Sequence, residues 1–515
     1  MRGTGVACAW DHPFRALPPG GPSRIASGDT LVIGPGSYRM GVGAPGDDGC
    51  HPDWSYDCHM SAVPAGAAPD EPTRIVGAGW DDGCTDPPEL WGAERPWFVL
   101  DLSGSSDVEV RCLEITDHAS CIEHHHDPAS RCERDAAPFG DWAPVGIHAE
   151  DAARVTLADL DVHGLAAIGI HAGRLTDWTV DRVRIAANGW AGWDGDLWSG
   201  DDGNDGQLLF RQVEVAFNGC AEWWSDGTLL PSSCWAQSAG GYGDGFAAGA
   251  SGGDWVFERC RVHHNTSDGI DLLYLEPGAN VAVDRLWAAG NAGNQLKMSA
   301  PGSVVNSVLV GDCAFFETFG GSVDPCRAAG NTLALDLHRG DVVTVTNTTI
   351  AGEGDCLVEA SCNDAEPGNS LPDCDGSESA SFVNSLLLGG VDFFQPWQRT
   401  CLAWWDAGAL PADPVTWDHV LVHDCEGDPC PPGSTVCADP DLRNPSLDTF
   451  DGHLLPSSPA VDAGEPAAAP AVDHDGRPRD PLPDIGAYEL VDLVFADGFE
   501  SGNTSAWSQA TPPER

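Results

Sequence analysis

The chain has 515 residues, of which 79 are acidic and 25 are lysine or arginine, so its formal net charge is -54 and its sequence pI is about 4.2. This excess of negative charge excludes nucleic acid and anionic membrane surfaces as partners and favours cations. With 62 glycines and 39 prolines, the composition argues against a helical protein. The length suits two or three globular domains or one elongated solenoid.

The 19 cysteines, many of them closely spaced, indicate disulfides formed in an oxidising compartment. Cys260 lies within an apolar strand and is predicted to be a buried free thiol. The segment Met1 to Gly5 lacks the charged and apolar regions of a secretory signal, so we expect an incomplete N-terminus on a secreted or cell-surface protein. No apolar run reaches the length of a membrane span.

Short alternating strands recur along the chain, beginning with an opening coil at residues 27–38. Between about residues 106 and 390 each strand is followed by a second strand and then by a turn, and nothing there has the pattern of an amphipathic helix. This spacing predicts a right-handed parallel β-helix with long cysteine-bearing loop insertions. A β-sandwich with a second domain is the competing architecture, which the persistent coil spacing disfavours.

The predicted organisation has four parts. Residues 1–105 form an N-terminal cap and first coils with insertions, and residues 106–400 form the β-helix that carries the site. Residues 401–490 form C-terminal coils and a capping segment. Residues 491–515 form a tail of the kind found in exported proteins, and no membrane span or oligomer is predicted, so we expect a monomer.

Four of the predicted turns end in asparagine, at Asn188, Asn218, Asn265 and Asn291. Asparagine tolerates left-handed backbone and bonds to its neighbours, which suits a tight corner repeated on every coil. We therefore expect these residues to form the corners of the solenoid.

Three segments that follow such turns align with one another. They begin at Asp244, Asp268 and Asn294, so the offsets are 268 - 244 = 24 and 294 - 268 = 26 residues, about one coil each. In a parallel stack, equivalent positions lie roughly 4.8 Å apart. The alignment predicts an inward ladder of Phe246, Ile270 and Leu296.

The outward positions of these segments carry the candidate site. Asp244, Asp268 and Asp271 are predicted to hold a Ca²⁺ ion, because carboxylate oxygens on neighbouring rungs can bridge a hard cation. Lys297 is the only lysine in the chain and is predicted to lie one rung after Asp271. A neutral amine there could remove the proton next to a substrate carboxylate that the metal has acidified, and activity should then rise toward alkaline pH.

The three segments, from Gly243-Asp244-Gly245-Phe246 through Ser267-Asp268-Gly269-Ile270-Asp271 to Asn294-Gln295-Leu296-Lys297, resemble the core of the family-9 pectate lyases. The resemblance implies a calcium ion bound by aspartates and a lysine base. Asp244, Asp268 and Asp271 match ligand positions, and Lys297 matches the base. Two positions depart from the family pattern, since Ser267 replaces a further aspartate ligand and Gln295 replaces a glycine.

The functional prediction is a secreted, calcium-dependent lyase that cleaves an acidic polysaccharide by β-elimination. Ser267 is included among the metal ligands, and Asn291 and Asn294 are predicted to contact the substrate. A non-catalytic β-helix that binds glycans or mediates adhesion is the alternative from another class. Hydrolysis by paired carboxylates fits less well, because it leaves Lys297 without a role.

Overall fold

The chain winds into a long coil of parallel strands in the computed structural model. The structure describes residues 9–118, 138–197, 203–220, 222, 234, 243–317, 331–363, 373–392, 395–425 and 430–490. The helices among these residues are short, and they comprise the 3-10 turns Pro13–Arg15, Pro52–Asp57 and Leu447–Thr449 and the α-helix α1 (Ala314–Glu317).

Strands account for nearly all of the regular structure. In chain order they are β1 (Thr30–Ile33), β2 (Ser37–Met40), β3 (Thr73–Gly77), β4 (Glu89–Gly92), β5 (Phe98–Asp101), β6 (Ser106–Asp117), β7 (Val145–Glu150), β8 (Ala153–His163), β9 (Ile168–Gly173), β10 (Thr176–Ala186), β11 (Ala191–Asp194), β12 (Asp205–Arg211), β13 (Glu214–Ala216), β14 (Phe246–Ala247), β15 (Asp254–Glu258), β16 (Arg261–His263), β17 (Ile270–Leu272), β18 (Asn280–Asp284), β19 (Trp287–Ala289), β20 (Leu296–Met298), β21 (Gly302–Val305), β22 (Val308–Gly311), β23 (Leu333–Leu337), β24 (Val342–Thr346), β25 (Thr349–Gly352), β26 (Cys356–Cys362), β27 (Ser379–Val383), β28 (Leu386–Gly389), β29 (Cys401–Trp405), β30 (Val415–Asp418), β31 (Leu421–His423), β32 (Val436–Cys437), β33 (Leu442–Asn444) and β34 (Asp451–Leu454).

The strands stack as the rungs of a solenoid. One 22-stranded sheet contains two rows of rungs, which meet within the long strands β6, β8 and β10 and continue as separate strands beyond them. The third row is a 10-stranded sheet, hereafter the site sheet, in the order β29-β26-β23-β20-β17-β14-β11-β9-β7-β5. Every pairing in these two sheets is parallel, and the antiparallel strands β33 and β34 form a separate pair. The predicted right-handed parallel β-helix is confirmed.

The interior is a continuous apolar core along the solenoid. The predicted ladder is confirmed, because Phe246 pairs with Ile270 and Ile270 with Leu296, and all three side chains are buried. Beneath the site rungs, the Phe246 ring stacks on Trp193 with centroids 5.3 Å apart. Each buried aromatic contributes about 1.5–3 kcal/mol to stability, so these rungs form a rigid base for the outward side chains.

The coil corners require left-handed backbone, but the predicted asparagines do not supply it. The residue with positive φ precedes each asparagine, and these residues are Ala187, Phe217, His264 and Gly290. The asparagine side chains instead point inward and are fully buried. The corners are therefore correctly located by the sequence, whereas the role of the asparagines is side-chain hydrogen bonding.

Residues 456–490 pack along the side of the solenoid. Three asparagines on successive coils donate to backbone carbonyls of this segment: Asn306 to Val472 at 2.8 Å, Asn347 to Asp484 at 2.9 Å and Asn384 to Glu465 at 3.0 Å. The segment thus satisfies polar groups at the corners of three coils. The predicted tail at 491–515 lies outside the described residues.

Disulfides occur in the loop insertions and on the coils, as the sequence predicts, and Cys356–Cys401 joins the paired strands β26 and β29. Cys260 is a buried free thiol, as expected. The pairs in which both cysteines are among the described residues are Cys50–Cys58, Cys84–Cys112, Cys220–Cys234, Cys356–Cys401, Cys362–Cys374 and Cys430–Cys437.

Candidate metal centre and catalytic site

The site lies on the outer face of the site sheet, hereafter the site wall, at strands β14, β17 and β20. Ala247 pairs with Asp271, and Asp271 pairs with Lys297. Because the neighbouring residues Ile270 and Leu296 point inward, Asp271 and Lys297 point outward on adjacent rungs. The register therefore places the single lysine directly beside an aspartate.

A ladder of hydrogen bonds, hereafter the outer ladder, runs beside the site wall. In it, a side-chain oxygen accepts the backbone N–H of the next rung. Its four acceptors are Asp244 (from Asp268 N, 2.8 Å), Asp268 (from Asn294 N, 2.7 Å), Asn294 (from Asn331 N, 2.9 Å) and Asn331 (from Cys356 N, 3.1 Å). An amide oxygen fills this role at Asn294 and Asn331, so the ladder itself does not need the negative charge at positions 244 and 268.

Asp244, Asp268 and Asp271 form an acid cluster in which one carboxylate oxygen from each lies within 4.8 Å of the others. All three residues are buried. Lys297 Nζ lies 3.3 Å from Asp271 Oδ2 and 3.6 Å from Asp268 Oδ2. The structure thus brings together the three aspartates and the lysine that the sequence selected, with three carboxylates facing one ammonium group.

Burial and mutual repulsion shape the protonation of the cluster. The pKa of Asp244 is raised well above its usual value, first by burial and then by the charges of Asp268 and Asp271. Burial, with a contribution from Asp268, raises the pKa of Asp271 to about 6 even though Lys297 opposes this. Burial disfavours the ammonium form of Lys297, but the three carboxylates outweigh it and raise the pKa of the amine. The charge of this cluster is therefore only partly compensated by protein groups.

The donor set fits a hard divalent cation. Carboxylate oxygens on adjacent rungs supply ligands of the type that Ca²⁺ prefers, at the roughly 2.3–2.6 Å that its coordination requires. The raised pKa values of Asp244 and Asp271 are consistent with a place for positive charge among them. The buried triad could therefore hold a metal ion.

Ser267 occupies the position where the family pattern has a further aspartate. Its side chain is fully buried and hydrogen-bonds with the carboxylate of Asp244, which favours the charged form of that carboxylate. A hydroxyl thus faces the acid cluster at this position. Its role as a metal ligand stays a prediction.

Asn294 contacts the acid cluster rather than open solvent. Its backbone N–H and its side-chain amide both donate to Asp268 Oδ1, at 2.7 and 3.1 Å. Its side-chain oxygen accepts a hydrogen bond from Asn331 N. Asn294 therefore orients a predicted metal ligand, and we treat it as a positioning residue whose contact with substrate stays a prediction.

Asn291 belongs to a second ladder, hereafter the inner ladder, inside the solenoid. Each asparagine side-chain amide donates to the next side-chain oxygen at 2.8–2.9 Å, in the order Asn188, Asn218, Asn265, Asn291 and Gln295. Asn291 is fully buried, and its amide also bonds to the Val262 carbonyl at 3.0 Å. The side-chain oxygen and nitrogen of Asn291 are both hydrogen-bonded within the protein. We therefore do not include Asn291 among the residues proposed to contact substrate.

Gln295 ends the inner ladder, which explains its departure from the family pattern. On the preceding rung, a Cβ at Gly269 would lie 2.6 Å from Asn291 Nδ2, so glycine leaves room for the ladder there. Gln295 directly precedes Leu296, as Gly269 directly precedes Ile270, the partner of Leu296 in register. Its side-chain oxygen is the last acceptor of the ladder, and its amide donates to the carbonyls of Asn291 and Gly293. Its side chain points away from Lys297.

The site wall extends well beyond the residues that the sequence selected. The outward positions in register with Lys297 include His148 and His171 on one side and Glu359 and Trp404 on the other. Sequence reasoning missed these residues because insertions of variable length separate their rungs. Alternation within each strand is the signal that would have found them once the register was known.

A right-handed parallel β-helix that carries a buried carboxylate triad and a lysine on one wall is the class of protein that the fold and site define. No family model and no curated protein matches the chain. Among solved structures it is similar to the pectate lyase Pel9A (14% identity, TM-score 0.41, covering 91% of this chain and 89% of that one).

It is also similar to the A-module of the mannuronan C-5 epimerase AlgE4 of Azotobacter vinelandii (10% identity, TM-score 0.45, covering 77% of this chain and 87% of that one) and to a rhamnogalacturonan lyase (13% identity, TM-score 0.43, covering 84% and 88%). At these identities and TM-scores, the chemistry has to be inferred from this chain's own residues. In the part of the chain that the structure describes, no helix is long and apolar enough to cross a membrane.

Proposed function

We propose that the protein is a secreted, calcium-dependent polysaccharide lyase that cleaves a uronic-acid polymer, with Lys297 as the base. One observation carries the proposal: the only lysine of the chain lies 3.3 Å from a buried carboxylate, on the rung next to an acid cluster. Arginine supplies the other basic charge of this chain apart from histidine, and guanidinium is a poor base. An amine at this one place matches a need for proton abstraction.

The acid cluster supports the calcium part of the proposal. Asp244, Asp268 and Asp271 would hold the ion, with the Ser267 hydroxyl beside them. Calcium there would supply the positive charge that holds and polarises a substrate carboxylate in this acidic protein. The disulfides and the expected substrate both fit a protein that acts outside the cell.

Lys297 would act on the sugar whose carboxylate lies at the cluster. The neutral amine takes the proton from the carbon that bears the carboxylate. The electron pair of the broken C–H bond forms a carbon–carbon double bond as the bond to the glycosidic oxygen breaks. The departing oxygen takes a proton from solvent. The products are a new chain end and an unsaturated uronate.

The surrounding residues set the position of the amine and its proton. Asp271 and Asp268 hold Nζ on the site wall, and Asn294 fixes Asp268 from the next rung. The carboxylates raise the pKa of Lys297, so its amine needs a more alkaline pH than an ordinary lysine to lose its proton and act as a base. We therefore expect turnover to increase toward alkaline pH.

The test is an assay with polygalacturonate and related uronans at alkaline pH, with calcium or with a chelator. The expected result is calcium-dependent growth of the ultraviolet absorbance of unsaturated uronate. New reducing ends without this absorbance would indicate hydrolysis and overturn the proposal. Absence of both signals on every uronan would also overturn it.

Glycan binding without turnover is the second candidate function. Ser267 in place of a carboxylate and the strongly held ammonium of Lys297 are the observations that favour it. In that case affinity electrophoresis should show uronan retention that depends on calcium, while Lys297→Arg should bind as well as the natural protein.

A further inference from the structure

A pocket, hereafter the C-terminal pocket, lies between the antiparallel pair β33–β34 and residues 456–490. It encloses about 550 Å³, which is within the range of cavities that hold a small ligand. Residues 456–490 are bonded to the coil corners at Asn306, Asn347 and Asn384, and these corners connect strands of the 22-stranded sheet. The pocket is therefore on a different face of the solenoid from the site wall.

Two half-exposed arginines from different parts of the chain line this pocket. Arg443 is on β33 and Arg477 belongs to residues 456–490, and their side chains are 59% and 50% exposed. Arg443 Nη1 lies 3.4 Å from Asp451 Oδ2, and Arg477 Nη1 lies 3.0 Å from Asp475 Oδ2. A guanidinium has five N–H donors, so these contacts leave further donors for a bound molecule.

His453 holds the two carboxylates that these arginines contact. Its Nδ1 lies 2.5 Å from Asp451 Oδ1, and its Nε2 lies 3.1 Å from Asp475 Oδ2. The imidazole ring also stacks on the buried ring of Tyr488, with centroids 3.9 Å apart. Because the ring is held on its face and at both nitrogens, the two aspartates and their arginines are positioned before a ligand arrives.

Glu489 also lines the pocket, but its charge is compensated inside the protein. Its Oε1 accepts from Asp480 N at 3.0 Å, and its Oε2 accepts from Arg479 Nη1 at 2.9 Å and from Asp484 N at 3.1 Å. The side chains of Arg479 and Glu489 are each 2% exposed. The two half-exposed arginines are therefore the charged groups that the pocket offers to a ligand.

The pocket combines these arginines with apolar side chains. Leu454, Pro478 and Leu490 form much of the remaining lining. In a chain whose net charge is -54, all three arginines of residues 430–490 lie at this pocket or directly beside it. A guanidinium pairs with a carboxylate through two parallel hydrogen bonds, and apolar side chains contact the C–H groups of a sugar ring. A uronate carries both the carboxylate and the ring.

We propose that the C-terminal pocket is a second binding site for uronic-acid chains, in which Arg443 and Arg477 pair with sugar carboxylates. The choice of polymer rests on the proposed function, which takes the same chains to be cleaved at the acid cluster. Arginine supplies here the positive charge that calcium supplies at the acid cluster. Binding at the pocket therefore needs no metal ion, and it keeps a chain on the protein independently of the site wall.

Calorimetry with tetragalacturonate in the presence of chelator tests the pocket, because the acid cluster then has no calcium to hold a carboxylate. Arg477→Gln should weaken this binding about tenfold, since charge-assisted hydrogen bonds are lost, and the further change Arg443→Gln should weaken it again. Arg339→Gln is the matched control, because Arg339 is also 50% exposed and paired with an aspartate, Asp375, outside the pocket. Equal affinities of Arg477→Gln and Arg339→Gln would overturn the inference.

Salt and a competitor test the natural protein without any substitution. Binding in chelator should weaken markedly as salt rises from about 50 to about 500 mM, because the charges that carry it are half-exposed. An affinity that ignores salt would count against the arginines. Polyglutamate has carboxylates but no sugar rings and should compete at least about tenfold more weakly than the oligosaccharide. Equal competition would reassign the pocket to acidic peptides.

The requirement for calcium separates this inference from the proposed function. If binding in chelator depends on Arg477 and no uronan is cleaved with calcium present, the pocket stands and the lyase proposal fails. If a uronan is cleaved but the natural protein binds no oligosaccharide in chelator, the lyase proposal stands and the pocket fails.

Discussion

The inner and outer ladders both hydrogen-bond successive coils to one another, but their acceptor groups differ. Both connect successive coils through side-chain oxygens, and both are buried. The inner ladder is amide throughout, from Asn188 to Gln295. The outer ladder begins with the carboxylates Asp244 and Asp268 and then changes to the amides Asn294 and Asn331.

This difference separates stability from function. An amide oxygen accepts a backbone N–H without the cost of burying a charge, and the solenoid uses it wherever only the hydrogen bond is needed. The carboxylates occur where the ladder passes Asp271 and Lys297. We infer that charge was retained there for a cation and for the amine.

Lys297→Arg should have the largest effect of the substitutions in and around the two ladders, and this effect is on kcat. The guanidinium keeps the positive charge beside Asp268 and Asp271 but cannot act as a base, so kcat should fall by about a thousandfold or more. Initial rates on a cleavable uronan measure this, with thermal unfolding to show that the fold is intact. Residual activity within tenfold of the natural protein would remove Lys297 from the proposed mechanism.

Asp268→Asn should remove one negative charge from the outer ladder while keeping the hydrogen bond from Asn294 N. The amide can still accept from Asn294 N, as Asn294 itself does from the next rung. Calcium affinity should drop about 10- to 100-fold, as judged by calorimetry. Asp254→Asn, on the exposed face of β15, changes the net charge equally and should leave the affinity unaltered.

Asn265→Ala should break the inner ladder instead. Its amide donates to Asn291 and Val215, and its oxygen accepts from Asn218, so truncation leaves buried groups without partners. The free energy of unfolding should fall by about 2 kcal/mol, measured by denaturant titration, with calcium affinity maintained. Asn280→Ala, at an exposed position, is the control and should change stability little. A large loss of calcium affinity in Asn265→Ala would show that the two ladders are not independent.

Asp271 should give the calcium-free protein a distinctive pH dependence. Its pKa in the folded state is about 6, above the ordinary 3.8, so between these values the folded protein holds a proton that the unfolded chain releases. The contribution of Asp271 to stability therefore decreases as pH rises from about 4 to about 6 and is constant above that. Asp271→Asn should remove this decrease when unfolding is followed in chelator, and an unaltered slope would contradict the assigned pKa shift.

Ser267→Asp should have the smallest effect and tests the departure from the family pattern. A fourth carboxylate beside Asp244 should strengthen calcium binding by up to about tenfold and destabilise the calcium-free protein, because the added charge is buried. Calcium titrations and melting curves with and without chelator measure the two effects. Weaker calcium binding would mean that position 267 does not face the ion.

Much of the site was predictable because the repeats around it are short and regular. The segments at 244, 268 and 294 align without gaps, so the pairing of Asp271 with Lys297 follows from counting. The roles of Asn291 and Gln295 were not predictable in this way. A corner asparagine can face solvent or the interior, and only the packing of Gly269 against Asn291 shows which applies.

The sequence by itself determined the fold class, the inward apolar ladder and the residues of the acid cluster with its lysine, because these depend on alternation and on a nearly constant coil length. The tertiary structure decided which rungs the long insertions bring into one column, and so placed Glu359 and Trp404 in line with Lys297. It also decided the raised pKa values, since burial and the approach of like charges arise only when the coils stack.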